Sequence, residues 1–458
     1  MKRSIYIIFA FIAAALAGCK DYLDIQPKDK LIPGTVEDFR LLLDDQWTMT
    51  LTPGLGDIMT DDLSLSESQY GDLSQEYQQR LYTWSKDVFA ADEDIRDWGA
   101  PYKIIFYVNT ILEGLAANPA GLPETRNQVE GEAMFYRAYA YFNLVNTFAK
   151  QYNVATADKD PGVPLRLSSD ITASITRNSV KEVYDQVLSD VNNAIRLLPA
   201  KSSFKTRPCR AAAYALSARI NLQMGKYDQA MEQANSALSL QNTLVDYKTV
   251  DPANSTFDAV FPVNIVNNPE VIFISSTTGI YAKNHFISPE VYQLYKEHDL
   301  RASLLFREMP DDGNYQYIGT YNDGGRTNVP SPFSGFTVAE LYLVRAECYA
   351  RKNEPSKAMG DLNTLLVNRF EENTFQPLTA ASAKEALETV LLERRKELVF
   401  RNLRLMDLKR LNMDPEQQVT LTRTLGGQTL TLTPGSNRYV FPIPDKEITS
   451  SHLEQNPR

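Results

Sequence analysis

Between Ala211 and Leu240 the chain reads AAAYALSARINLQMGKYDQAMEQANSALSL, with apolar and small residues returning every three or four positions on either side of a glycine. That spacing predicts two antiparallel helices joined by a tight turn, the tetratricopeptide arrangement. Tyr214, Ala218, Gly225, Tyr227, Ala230 and Ala237 occupy its key positions; the alanines let the helices approach, and Gly225 ends the first. A second copy runs from Glu340 to Leu366, where Tyr342, Ala346, Tyr349, Ala358 and Leu365 repeat the spacing and Pro355 replaces the turn tyrosine. A third unit is split. Its first helix is expected over Glu132 to Ala149 and its second over Val180 to Leu198, around an insertion, Lys150 to Asn178, that carries Asp160-Pro161-Gly162. Ser179 and Glu182 form a capping-box signal, and Val180, Tyr184, Val187, Val191, Ile195 and Leu198 make one apolar stripe. Further helices are expected at Asp94 to Leu115 and Lys384 to Leu411. About four pairs result, each needing neighbours to bury its apolar face.

The remaining stretches lack this period. Asp251 to Pro332 is rich in Asn, Pro, Gly and Tyr, with one strand expected at Val271 to Ser275. Near the C-terminus Val419, Leu421, Arg423 and Leu425 alternate with polar residues, Gly426-Gly427 marks a turn, and Thr429 to Thr433 alternates back, a hairpin pattern. The expected fold class is mainly α: a tetratricopeptide-like α-α solenoid with an irregular, partly β second layer. Helical pairs fall within 94–240 and 338–411, loop-rich insertions at 44–93 and 245–335, and the hairpin region at 415–444.

The start of the chain bears on location. Lys2 and Arg3 precede an apolar run from Ile5 to Ala17, which ends in Leu16-Ala17-Gly18-Cys19. This is a lipoprotein-type secretion signal. Residues 1–18 are expected to be removed, and 19–458 to form a single domain anchored through an acylated Cys19, whose thiolate is the nucleophile such a modification needs.

Composition narrows the function classes. A net charge of -10 argues against a nucleic-acid partner, whose phosphates call for a basic face. Apart from Cys19 there are only Cys209 and Cys348, too few for a disulfide framework and expected as buried thiols. His285, His298 and His452 have no metal-ligand spacing. No metal or cofactor is expected, and no nucleophile elbow, phosphate loop or Cys-His arrangement points to catalysis.

Several blocks resemble the SusD/RagB family of surface glycan-binding lipoproteins. They are Cys19-Lys20-Asp21-Tyr22-Leu23-Asp24-Ile25-Gln26-Pro27; Trp98, Tyr102, Ile105, Asn109, Ile111 and Leu112; Glu132, Arg137, Ala138, Tyr141 and Leu144; Glu393 to Leu398 through Arg404, Asp407, Leu408, Lys409 and Arg410; and Tyr439 to Pro444, Glu447-Ile448 and Gln455-Asn456-Pro457. They follow the family's order over nearly the whole mature chain. The resemblance implies four tetratricopeptide-like pairs, no catalytic residues, an oligosaccharide or peptide ligand, and a lid-like association with a SusC-like, TonB-dependent barrel transporter.

The basic block Arg394 to Arg410 is expected to pair with Glu393 and Glu397 rather than hold an anionic ligand. Asp61-Asp62 is expected to be solvated, and Asp92, Glu93 and Asp94 to mark a helix N-terminus. Trp84 and Trp98 are expected in the core. Ligand contacts are expected from loop residues: Tyr70 and Tyr77 early, and Tyr281, Asn314, Tyr315, Tyr317, Tyr321, Asn322 and Asp323 later. Two other functions remain open: a tetratricopeptide lipoprotein that scaffolds outer-membrane protein assembly, and a lipid-anchored glycan hydrolase.

Overall fold

The computed structural model describes residues 33–118, 121–251, 267–279, 284–310, 313–321 and 332–458. Cys19, Tyr281, Asn322 and Asp323 lie outside the described residues. Among those described, the helices of eight residues or more are α1 (Val36–Leu43), α2 (Arg96–Ala117), α3 (Pro123–Phe148), α4 (Val180–Leu197) and α5 (Arg210–Gln223), followed by α6 (Tyr227–Leu240), α7 (Val338–Arg351), α8 (Pro355–Leu366), α9 (Ala383–Glu397) and α10 (Arg404–Leu411). No helix among the described residues is long and apolar enough to cross a membrane.

From α2 to α8, each helix packs on the next in chain order, and α9 lies against α7 and α8. This is the expected stack of helical pairs. Gly225 adopts φ 72°, a left-handed conformation that an L side chain resists, so α5 ends there and α6 folds back on it. Ala218 and Ala230 are fully buried, as are Ala346 and Ala358 of the second copy. Ser179 and Glu182 form the expected reciprocal cap at the start of α4.

Helix α3 lies in the middle, with almost every residue from Gly131 to Phe148 buried. Its polar residues are therefore partnered. Arg137 donates two 2.8 Å hydrogen bonds to Asp190 of α4 and a third of 2.9 Å to the Asn109 carbonyl oxygen of α2. The last carbonyls of α3 are met by the C-terminal part of the chain: Thr147 accepts from the Phe441 N–H, and Phe148 accepts from the Asn456 amide. The ammonium of Lys409 donates to Asn146 and Ala149. Burial pulls that ammonium down to about 7.

The second layer is built from short strands. β1 (Leu51–Thr52) pairs in parallel with β3 (Ser276–Thr277), β2 (Val271–Phe273) pairs antiparallel with β7 (Phe336–Thr337), and β4 (Phe286–Ile287), β6 (Tyr315–Tyr317) and β5 (Phe306–Glu308) form an antiparallel sheet in the order β4-β6-β5. The C-terminal hairpin is β8 (Leu421–Leu425) and β9 (Gln428–Leu432), turning at Gly426-Gly427. β2 is shorter than Val271 to Ser275 because its pairing with β7 becomes irregular there, although Ser275 still accepts from the Ser334 N–H. The Ile274 N–H turns to Lys205, and Ser276 joins β1.

Three expectations are corrected. Lys384 to Leu411 is two helices, with Phe400 at φ 54° and Asn402 at φ 57° between them. The break is tertiary in origin: the Asn402 amide donates to Pro53 at 2.6 Å, and its backbone N–H donates to Asp57. Asp61 and Asp62 are not solvated. Arg404 grips Asp61 through two 2.9 Å hydrogen bonds, and Arg395 reaches Asp62 at 2.7 Å. The charged block does form ion pairs, but mostly with distant partners. Lys396 meets Glu393 at 3.0 Å, whereas Glu397 is bound by Arg301 and Arg369, and Arg369 also binds Glu270. Burial opposes charge on Glu397, yet the guanidiniums of Arg369 and Arg301 hold it below the usual carboxylate range.

Candidate binding site

The two loop-rich insertions meet at the first turn of α2. Asp97, 1% exposed, accepts hydrogen bonds from the Gly54 and Leu55 N–H groups at 2.9 and 2.8 Å and from the Thr278 hydroxyl at 2.6 Å. Burial raises its carboxyl above the ordinary range, and these three hydrogen bonds oppose that rise. The backbones of Gly54 and Gly279 touch so closely that a Cβ on Gly279 would stand 2.4 Å from the Gly54 carbonyl carbon. Side chains are excluded there, and the early and late segments are clasped together. A second seam joins the Ser64 N–H to the Phe286 carbonyl at 2.9 Å.

Beside this clasp lies an open groove of about 250 Å³, lined by Trp47, Thr48, Leu51, Asp94, Arg96, Gly99, Ala100 and Lys103. Trp47 is 61% exposed. A large indole that keeps most of its surface in water, among charged side chains, is unusual for a residue that folding would otherwise bury. Such a plane can pack on the C–H face of a sugar ring while the exposed Asp94 and Arg96 meet hydroxyls. On the other side of α2, sharing Gly99, a second groove of about 250 Å³ runs between Tyr102, Phe106 and Asn109 and the insertion residues Arg166 to Ile171. Trp98 reaches its edge but is 4% exposed, and Trp84 is 1% exposed; both are core residues, as expected.

The expected contacts fall in different settings. Tyr77 is half-buried against Phe89, and burial, with the nearby Asp97 and Glu93 carboxylates, pushes its hydroxyl above the usual tyrosine range. Tyr70 is half-buried against Tyr82. Tyr315 stacks on Tyr292, with ring centres 3.7 Å apart, next to the partly exposed Asn314. Tyr317 and Tyr321 are corrected. Both are buried: Tyr317 sits against Phe306 and Phe400, and the Tyr321 hydroxyl accepts from Arg401 at 2.8 Å, so neither offers a ring face to solvent. Trp47 was not among the expected contacts, although its polar setting, Asp44-Asp45-Gln46-Trp47-Thr48, was a visible signal.

Glu93 is held by Arg80 and the Ala90 N–H, both at 2.6 Å, and helix α2 begins at Arg96, just past the three acids. Cys209 and Cys348 are buried and unbridged. Among the described residues no group of three or more His, Cys, Asp or Glu side chains is placed to hold a metal ion.

Fold and site together define a helical-repeat scaffold with an open groove, carrying one exposed tryptophan, between α2 and the early insertion. A family profile described as starch-binding and associating with the outer membrane matches residues 21–222, and the SusD family profile matches residues 325–458. A curated relative, SusD-like protein P2 of Formosa agariphila, is 25% identical over 79% of each chain. Two solved structures share the fold: a SusD superfamily protein of Bacteroides thetaiotaomicron (21% identity, 93% of this chain and 100% of that one, TM-score 0.74) and surface glycan-binding protein A of Bacteroides fluxus (20%, 93% and 100%, TM-score 0.70). The chain belongs to the SusD/RagB family.

Proposed function

We propose that this protein captures an oligosaccharide at the cell surface in the Trp47 groove and delivers it to a SusC-like, TonB-dependent barrel transporter. The exposed Trp47 plane, flanked by Asp94, Arg96 and Lys103 at the clasp of the two loop segments, carries the reading. The outer-membrane description of the matching family and the glycan-binding name of a protein with the same fold support it. Tyr70, Tyr77, Asn314 and Tyr315 are further proposed contacts, together with Tyr281, Asn322 and Asp323 from the later segment. Cys19 carries the lipid anchor in this scheme, and the protein binds without transforming its cargo.

Affinity electrophoresis through gels containing starch, laminarin, pectin or carrageenan tests the proposal. At least one polymer retards the wild-type chain, and Trp47→Ala runs unretarded with an unchanged circular-dichroism melt. Retardation by none of them, or equal retardation of Trp47→Ala, contradicts it. Gentle detergent extraction tests delivery, since a barrel protein is expected to co-purify.

A further inference from the structure

We infer that the Trp47 groove selects acidic carbohydrate, carrying uronate carboxylates or sulfate esters, with Arg96 and Lys103 as the residues that set this preference. The inference rests on the reading of this groove as the glycan site. Arg96 and Lys103 both line it, two turns apart on the same face of α2, and both are exposed. Neither forms an ion pair among the described residues. Several arginines deeper in the molecule differ: Arg137, Arg219, Arg301, Arg369 and Arg404 are each locked to carboxylates. The Lys103 ammonium lies 5.5 Å from the Tyr107 ring centre.

Helix stability does not explain Arg96. It is the first residue of α2, where the helix dipole disfavours a cation, and Ile95 supplies no side-chain cap. The acid of that turn, Asp97, points inward to Gly54, Leu55 and Thr278 and makes no hydrogen bond with Arg96. Asp94 is the groove's single acid against these two cations, so the lining stays net positive on a chain of net charge -10. A polyanion is repelled by such a chain as a whole, and its capture depends on cations close to the aromatic platform. Ordinary salt confines their reach to roughly 10 Å. An arginine fork suits carboxylate and sulfate oxygens alike, so the groove chemistry is shared by both anions.

Isothermal titration of the whole mature chain with oligogalacturonate, carrageenan oligosaccharides and neutral laminarin oligosaccharides tests the inference, and the two acidic arms separate carboxylate from sulfate. At 50 mM NaCl at least one acidic probe is expected to bind tenfold or more tighter than the neutral one, with the advantage shrinking several-fold at 500 mM. Arg96→Gln/Lys103→Gln is expected to cut the acidic-to-neutral affinity ratio at least tenfold without moving the melting temperature. The inference is overturned if neither acidic probe outbinds laminarin oligosaccharides, or if the double variant keeps the ratio. In those cases loss of all binding in Trp47→Ala leaves the groove itself standing as a neutral-glycan site. Unchanged binding in Trp47→Ala removes the groove reading and this inference together.

Discussion

Arg219 of α5 and Glu340 of α7, 121 positions apart, are joined by two parallel hydrogen bonds of 2.7 Å, with both side chains only 5% exposed. The same guanidinium donates to the Gly335 carbonyl at 2.8 Å and lies 4.1 Å from the Phe336 ring centre. One residue thus ties two helical pairs to β7. Replacing Glu340 with alanine strands a buried cation, and the expected loss of stability is about 3–5 kcal/mol. Urea unfolding measures it. The double replacement Arg219→Met/Glu340→Met, which removes both charges, is expected to cost clearly less; an equal or larger loss would show that the charge pair is not what the site contributes.

Acid sensitivity follows from Asp407. It accepts from Arg394 and Arg410, each at 2.8 Å. Burial opposes its charge, but the two guanidiniums hold the carboxyl at about 2 rather than 3.8. Between those values the unfolded chain takes up a proton that the folded chain refuses. The group's contribution is therefore complete above about pH 4 and is lost as pH falls through about 2, amounting to about 2 kcal/mol. Asp407→Asn is expected to flatten the pH dependence of the urea midpoint by that amount between pH 4 and 2, as well as lowering stability at neutral pH. An unchanged acid slope in the variant would refute the assignment.

The C-terminal hairpin hangs on Arg423. Its guanidinium lies 4.0 Å from the Tyr82 ring centre and 4.6 Å from that of Trp84, and it donates to the carbonyls of Ile58, Thr60 and Tyr82. Arg423→Ala leaves those buried carbonyls unsatisfied, at about 1–3 kcal/mol for the first of them. Limited proteolysis should then clip the chain between β8 and β9 at a protease dose that spares the wild type. Equal resistance would mean that apolar contacts alone hold the hairpin.

The helical pairs were legible because their evidence is local: apolar spacing, Gly225 and the Ser179–Glu182 cap all act within a few residues. What was not legible depended on partners far along the chain. No glycine or proline announces the break at Phe400 and Asn402, which is imposed by Pro53 and Asp57. Asp61 and Asp62 read as surface acids until Arg395 and Arg404 are folded onto them. Tyr317 and Tyr321 read as loop aromatics, but Phe400 and Arg401 draw them into the interior. Trp47 shows the reverse error. Folding usually buries a tryptophan, as it does Trp84 and Trp98, and only the folded chain shows Trp47 left at the surface.

That contrast provides the most direct test of the account. The chain has three tryptophans, and Trp84 and Trp98 are sealed in the core while Trp47 is 61% exposed. Titrating a glycan that the protein binds and comparing tryptophan emission in the wild type and in Trp47→Phe therefore separates the Trp47 groove from the second groove, whose edge Trp98 reaches. The account predicts a saturable change in emission in the wild type that disappears in Trp47→Phe. If Trp47→Phe showed the same change at the same ligand concentration, the sugar would be bound elsewhere and the central claim would be wrong.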